Sequence, residues 1–73
     1  MSQDNKILNR EILAKNIIAL RTKKNIRREE LSLVLGFDNS YISKLEKGKI
    51  NITIDKLTLI ADYFEVGLKD LFH

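Results

Sequence analysis

A chain of 73 residues without cysteine makes one small domain, with no room for two cores and no disulfide framework or thiolate metal site. No apolar run reaches the length of a membrane span and no signal-peptide pattern opens the chain, so a soluble, cytoplasmic protein is expected. The formal net charge of +3 is modest, and its distribution matters more than its size.

Residues 1–8 read as a flexible N-terminal arm, as chain ends usually are, and the folded domain is expected over 9–73. From Asn9 to Lys24 the apolar residues Leu13, Ile17 and Leu20 recur at helical spacing. Asn9 or an earlier Asn is expected to cap this first helix, Glu11 suits its first turn, Lys23 and Lys24 suit its last, and Asn25 is a left-handed stop. A second helix is expected from about Arg27 to Leu35, with Glu29 and Glu30 at its positive end, Leu31 and Leu35 buried, and Gly36 ending it.

The stretch from Phe37 to Gly48 reads as a short third helix with a polar outer face. Asp38 is its expected N-cap, because a carboxylate oxygen accepts the free N–H groups of a first turn. Ile42 and Leu45, three apart, share the buried side, so Asn39, Ser40, Ser43 and Lys44 point outward. These are side-chain types that reach base edges and phosphates in a DNA groove. Gly48 fits the left-handed position past the helix end.

A loop follows to Ile52, and Thr53 caps a fourth helix with the apolar set Ile54, Leu57, Ile60, Ala61 and Phe64. Val66 and Gly67 are expected to break the chain, and Leu68 to Phe72 to form a last helical turn. With no proline and no sustained period-two alternation, the class is all-α. Ile12, Ile18, Leu33 and Val34 fall outside the tight apolar stripes; they mark either a wider core or a patch for a protein partner.

Arg21, Lys23, Lys24, Arg27 and Arg28 form a basic run with no acid inside it, and Lys44, Lys47 and Lys49 form another. Beyond Lys49 the acids Asp55, Asp62, Glu65 and Asp70 outnumber Lys56 and Lys69. One end of the molecule therefore suits a polyanion and the other does not. Catalysis finds no support: the one histidine is His73, and there is no cysteine, no Gly-rich phosphate loop and no Ser-His-Asp set. A metal site lacks ligands, and no cofactor or small-molecule effector is expected.

The segments Leu13–Arg21, Arg28–Gly36 and, above all, Tyr41-Ile-Ser-Lys-Leu-Glu-Lys-Gly48 resemble the Cro/cI-type helix-turn-helix family, and within it the controller proteins of restriction–modification systems. The resemblance continues through Asn51, Thr53, Leu57, Ile60, Ala61, Leu71 and Phe72. It implies a compact five-helix, lambda-repressor-like domain that regulates transcription and binds double-stranded DNA as a homodimer at a palindromic operator. Helix three, about 39–47, would lie in the major groove. Asn39, Ser40 and Lys44 fall on base-reading positions, with Tyr41 and Ser43 flanking them. Lys47, Lys49 and Asn51 fall on phosphate contacts. Arg28 stands where Gln is usual at the start of helix two, a position that touches the DNA backbone or a base edge, and with Arg27 is expected to clamp phosphate. Arg27 replaces the usual Ser or Thr cap, which weakens it, since arginine accepts no hydrogen bonds. Ser32 replaces a common Ala, and Ile52 a common Pro. Arg21 and Glu46 match positions that form an ion pair joining helices one and three.

Two copies one DNA turn apart would need a dimer surface away from the basic face. Among the C-terminal apolar residues Phe64 and Leu68 are expected in the core, leaving Tyr63, Leu71 and Phe72 for the two-fold interface. The rival reading is a protein-interaction module, such as an antitoxin or anti-repressor, using the same fold.

Overall fold

The computed structural model describes residues 2–73, with side chains from Asn9 onward. Four α-helices and a closing 3-10 turn follow in chain order: α1 Ser2–Lys24, α2 Arg28–Val34, α3 Tyr41–Glu46, α4 Ile54–Phe64 and the 3-10 turn Leu68–Phe72. The count is thus four α-helices rather than five, the last element being wound more tightly. α1 starts at Ser2 rather than near Asn9. Residues 2–8 hold neither Gly nor Pro, so nothing in their backbone chemistry stops the helix. At ~1.5 Å per residue such a helix runs the length of the molecule, whose longest extent is 35 Å.

Each helix gives one stripe to a single core. Leu13 and Ile17 come from α1, Leu31 from α2, Ile42 and Leu45 from α3, and Leu57, Ile60 and Ala61 from α4. Leu20, Leu35 and Phe64 pack around this centre half-buried, while Ile54 is exposed on the outer side of α4. The 3-10 turn reverses one expectation: Leu71 is 0% exposed and Leu68 is 36% exposed. The cause is a pair of hydrogen bonds from the Asn16 amide of α1, to the Leu71 carbonyl at 2.7 Å and the His73 carbonyl at 3.1 Å. They draw the end of the turn onto α1, seating Leu71 in the core and leaving Leu68 at the outer end.

Left-handed residues stop all four α-helices: Asn25, Gly36, Gly48 and Glu65 have φ of 58°, 82°, 70° and 58°. After each, the next N–H reaches back across the last turn, as Ile26 does to the Arg21 carbonyl at 3.0 Å and Phe37 to that of Ser32 at 2.8 Å. Gly36 and Gly48 adopt this conformation without a Cβ penalty. Glu65 does not, and the break expected at Val66 and Gly67 begins one residue earlier. Gly67 instead opens the 3-10 turn at φ −79°, its N–H donating to Asp70 Oδ2 at 2.9 Å. Glu65→Gly is therefore expected to stabilise the fold by about 1 kcal/mol, read as a raised urea midpoint at constant slope.

Candidate nucleic-acid interface

α2 and α3 are short, and a six-residue helix has little stability of its own. Packing and three devices hold this one. Ile42 and Leu45 bury its inner side. The Tyr41 N–H donates to the Asp38 carbonyl at 2.9 Å. The second free N–H, of Ile42, donates to the Ser32 hydroxyl at 3.1 Å, and that hydroxyl donates to the Arg28 carbonyl at 2.9 Å. Ser32 is wholly buried, so the side-chain cap of α3 comes from α2. The N-cap expected at Asp38 is corrected on this point: the cap residue is Ser40, and no side chain of its own turn closes the helix. At α2 the cap residue is Arg27; its N–H donates to Glu30 Oε1 at 3.2 Å, which makes one half of a capping box.

The third device is ionic. Glu46, the last residue of α3, has a side chain only 3% exposed. Arg21 of α1, 16% exposed, donates from Nε to Glu46 Oε2 at 2.9 Å and from NH2 to Oε1 at 3.5 Å, and from NH1 to the Ile26 carbonyl at 3.2 Å. Arg28 of α2 lies 3.6 Å from Glu46 Oε1 with its side chain 53% exposed. One carboxylate thus ties three helices.

With the two helices so fixed, Arg21, Arg27, Arg28, Glu29, Asn39, Ser40 and Ser43 line a single open cleft of about 450 Å³. Asn39 is exposed and Ser40 and Ser43 half-exposed; Lys44 is exposed on α3, and Lys47 and Lys49 are exposed just beyond it. Tyr41 and Phe37 pack ring to ring, with centroids 4.7 Å apart, and the Lys56 ammonium from α4 sits over both, 4.6 Å from the Tyr41 ring and 5.5 Å from that of Phe37. Burial pushes the Tyr41 phenol above its usual pKa, so it stays protonated at neutral pH and can donate a hydrogen bond. Asn51 stands apart from the cleft. Its side-chain oxygen accepts from Arg10 of α1, in a second cleft with Leu13, Ile50 and Phe72.

A family model described as Helix-turn-helix matches residues 17–71, most of the chain and all of α2, α3 and α4. This chain belongs to the helix-turn-helix family. The helix-turn-helix chain is 33% identical over 62 residues to the control protein C.SmaI of Serratia marcescens, covering 85% of this chain and 74% of that one. It is similar in structure to the hypothetical transcription factor NHTF from Neisseria, with TM-score 0.84, 29% identity and coverage of 89% and 75%. It is also similar to the restriction-modification controller protein C.AhdI from Aeromonas hydrophila, with TM-score 0.79, 25% identity and coverage of 86% and 96%. This helix-turn-helix protein is a DNA-binding transcriptional regulator.

Away from the cleft the structure does not assemble the expected dimer set. Leu71 lies in the core of the chain. Phe72 lines the second cleft beside Asn9, Arg10 and Leu13 near the middle of α1, while the Tyr63 ring lies 4.8 Å under the Lys24 ammonium at the C-terminal end of that helix. Leu13 and Lys24 are about 16 Å apart along that helix. Leu33 and Val34 are exposed at the end of α2, and Ile18 is exposed while Ile12 is half-buried. Sequence reasoning missed Arg10 and Lys56, for which no local pattern gives a signal, and the bridging role of Ser32, where the departure from a common Ala was the available clue. Among the described residues no group of His, Cys, Asp or Glu could hold a metal ion, and no helix is long and apolar enough to cross a membrane.

Proposed function

We propose that this regulator acts in the cytoplasm as a homodimer on a palindromic operator, with α3 in the major groove, and that it serves as a controller of a restriction–modification system. One observation supports the mode of binding most: Arg27 and Arg28 from the start of α2 and Asn39, Ser40 and Ser43 from the start of α3 line one cleft, with the exposed Lys44 next to Ser43 in the chain. Asn39 and Lys44 are the base-reading pair, since Asn pairs bidentately with adenine and Lys with guanine acceptors. Arg27, Lys47 and Lys49 contact phosphate, and Asn51 does so from its place beside Arg10. The controller role rests on the likeness to C.SmaI and C.AhdI. The dimer surface in this reading keeps Tyr63 of the expected trio and adds Leu59, 46% exposed on the same face of α4 four residues earlier, with Leu68 exposed beyond them. No catalytic role is part of this reading.

Titration against an enriched operator at two salt concentrations tests it. Affinity should fall steeply with salt, because phosphate contacts release counterions. Asn39→Ala should lose about 1–3 kcal/mol at one base pair and relax preference there alone. A uniform loss at every position would make Asn39 a phosphate contact, and salt-insensitive or absent binding would sink the DNA reading and favour the interaction-module alternative. Leu59→Asp should sediment as a folded monomer; a folded dimer would place the interface elsewhere.

A further inference from the structure

We propose that Arg28 is a base-reading residue, anchored by Glu46 and set to take the acceptor pair of a guanine in the half-site that each chain reads. The proposal rests on the DNA-binding reading above and, of the backbone and base-edge contacts open to Arg28, assigns it the base edge, as a specificity determinant.

The anchor is the first argument. Glu46 is nearly inaccessible and already holds Arg21 at 2.9 Å, so its position is fixed from the α1 side. Its Oε1 is 3.6 Å from Arg28 NH1. A free arginine loses considerable rotamer freedom on binding; one drawn toward a fixed carboxylate by an ion-pair contact loses less. About half of the Arg28 side chain stays open to the cleft that Asn39, Ser40 and Ser43 also line. The guanidinium is a rigid fork of five donors, and at 3.6 Å its contact with Glu46 is an ion pair longer than a hydrogen bond, so its donors stay available for a second partner.

Charge is the second argument. Arg21 and Arg28 share one carboxylate, which leaves the trio one net positive charge. A phosphate contact works through uncompensated charge, and Lys44, Lys47 and Lys49, exposed and in no ion pair among the described residues, supply that better. A partly neutralised arginine in a fixed place is poorly suited to screening a backbone and well suited to geometry. Bidentate donation from arginine to the O6 and N7 of guanine is the commonest specific contact in the major groove. Glu46 is then a positioning residue: it never touches DNA, and it decides where Arg28 does.

The test is a selection on random duplexes with the full chain, followed by titrations of the enriched operator and its single-base-pair variants. Wild type should enrich a G·C pair at one position of the half-site. Arg28→Lys keeps the charge and loses the fork. It should lose about tenfold or more in discrimination at that one pair, with an unchanged salt slope and the other positions retained. Arg28→Gln should move the preference at the same pair toward A·T. Glu46→Gln, checked for folding by circular dichroism, should weaken discrimination at that pair and have no further effect in the Arg28→Gln background. A phosphate role predicts the opposite for Arg28→Lys, near-wild-type binding with every base preference intact, and that result overturns the proposal. So does a loss spread evenly over all positions. If wild type enriches no motif, the failure lies with the DNA reading itself. Arg28→Lys decides the matter even if Glu46→Gln does not fold, because Arg28 is half exposed and Arg21 still holds Glu46.

Discussion

Glu46→Ala is expected to remove about 3–5 kcal/mol of folding free energy. The carboxylate is buried, and its closest partner Arg21 is largely so. Truncation leaves the largely buried Arg21 guanidinium with the Ile26 carbonyl as its one remaining protein partner, beside the open cleft. A stranded charge costs far more than the pair contributes relative to two apolar residues, and for this reason the magnitude concerns removal rather than net worth. A domain of this length has roughly 4–11 kcal/mol in total, so the variant should be close to unfolding at 37 °C. Urea unfolding followed by circular dichroism gives the answer. An unchanged midpoint would mean that Arg21 is satisfied without Glu46. Glu46→Gln retains an acceptor for Arg21 and should lose less.

Leu71→Ala is the second large effect, with an expected loss of about 2–5 kcal/mol from lost burial and a residual cavity. Leu71 is fully enclosed where the 3-10 turn meets α1 and α4, and the Asn16 amide pins its carbonyl, so the site has little freedom to collapse. Leu68→Ala, three residues away and exposed, should change stability by less than about 0.5 kcal/mol in a monomer. Paired thermal melts at one protein concentration separate the two. Equal effects would show that the turn sits on α1 differently.

The reasons Leu71 and Leu68 are exchanged also show where the sequence stops being informative. Periodicity places the helices because Leu13 and Ile17, Ile42 and Leu45, and Leu57, Ile60 and Ala61 each repeat at helical spacing over at least a turn. The stops at Asn25, Gly36 and Gly48 are legible because few residues tolerate positive φ. A five-residue turn offers no such repeat, and its orientation is set by Asn16, more than fifty residues away. The start of α1 is illegible for another reason, since polar residues without a breaker fit arm and helix equally. At the cleft, residue types disclose that Asn39, Ser40, Ser43 and Lys44 are polar and outward. They do not disclose that Arg28 leans on Glu46, or that Lys56 covers Tyr41, because both contacts join separate helices.

The Ser32 hydroxyl has a consequence for how such a protein changes over time. It closes the first turn of α3 from outside, and Ile42, Leu45 and Glu46 fasten that helix from beneath. None of the instructions for folding α3 are written in Asn39, Ser43 or Lys44. Those three positions are free to drift toward a new operator while the scaffold stays intact, whereas Arg28 is not, because the carboxylate beside it also fastens α3. A chain built this way can be retargeted by a few exchanges on one surface.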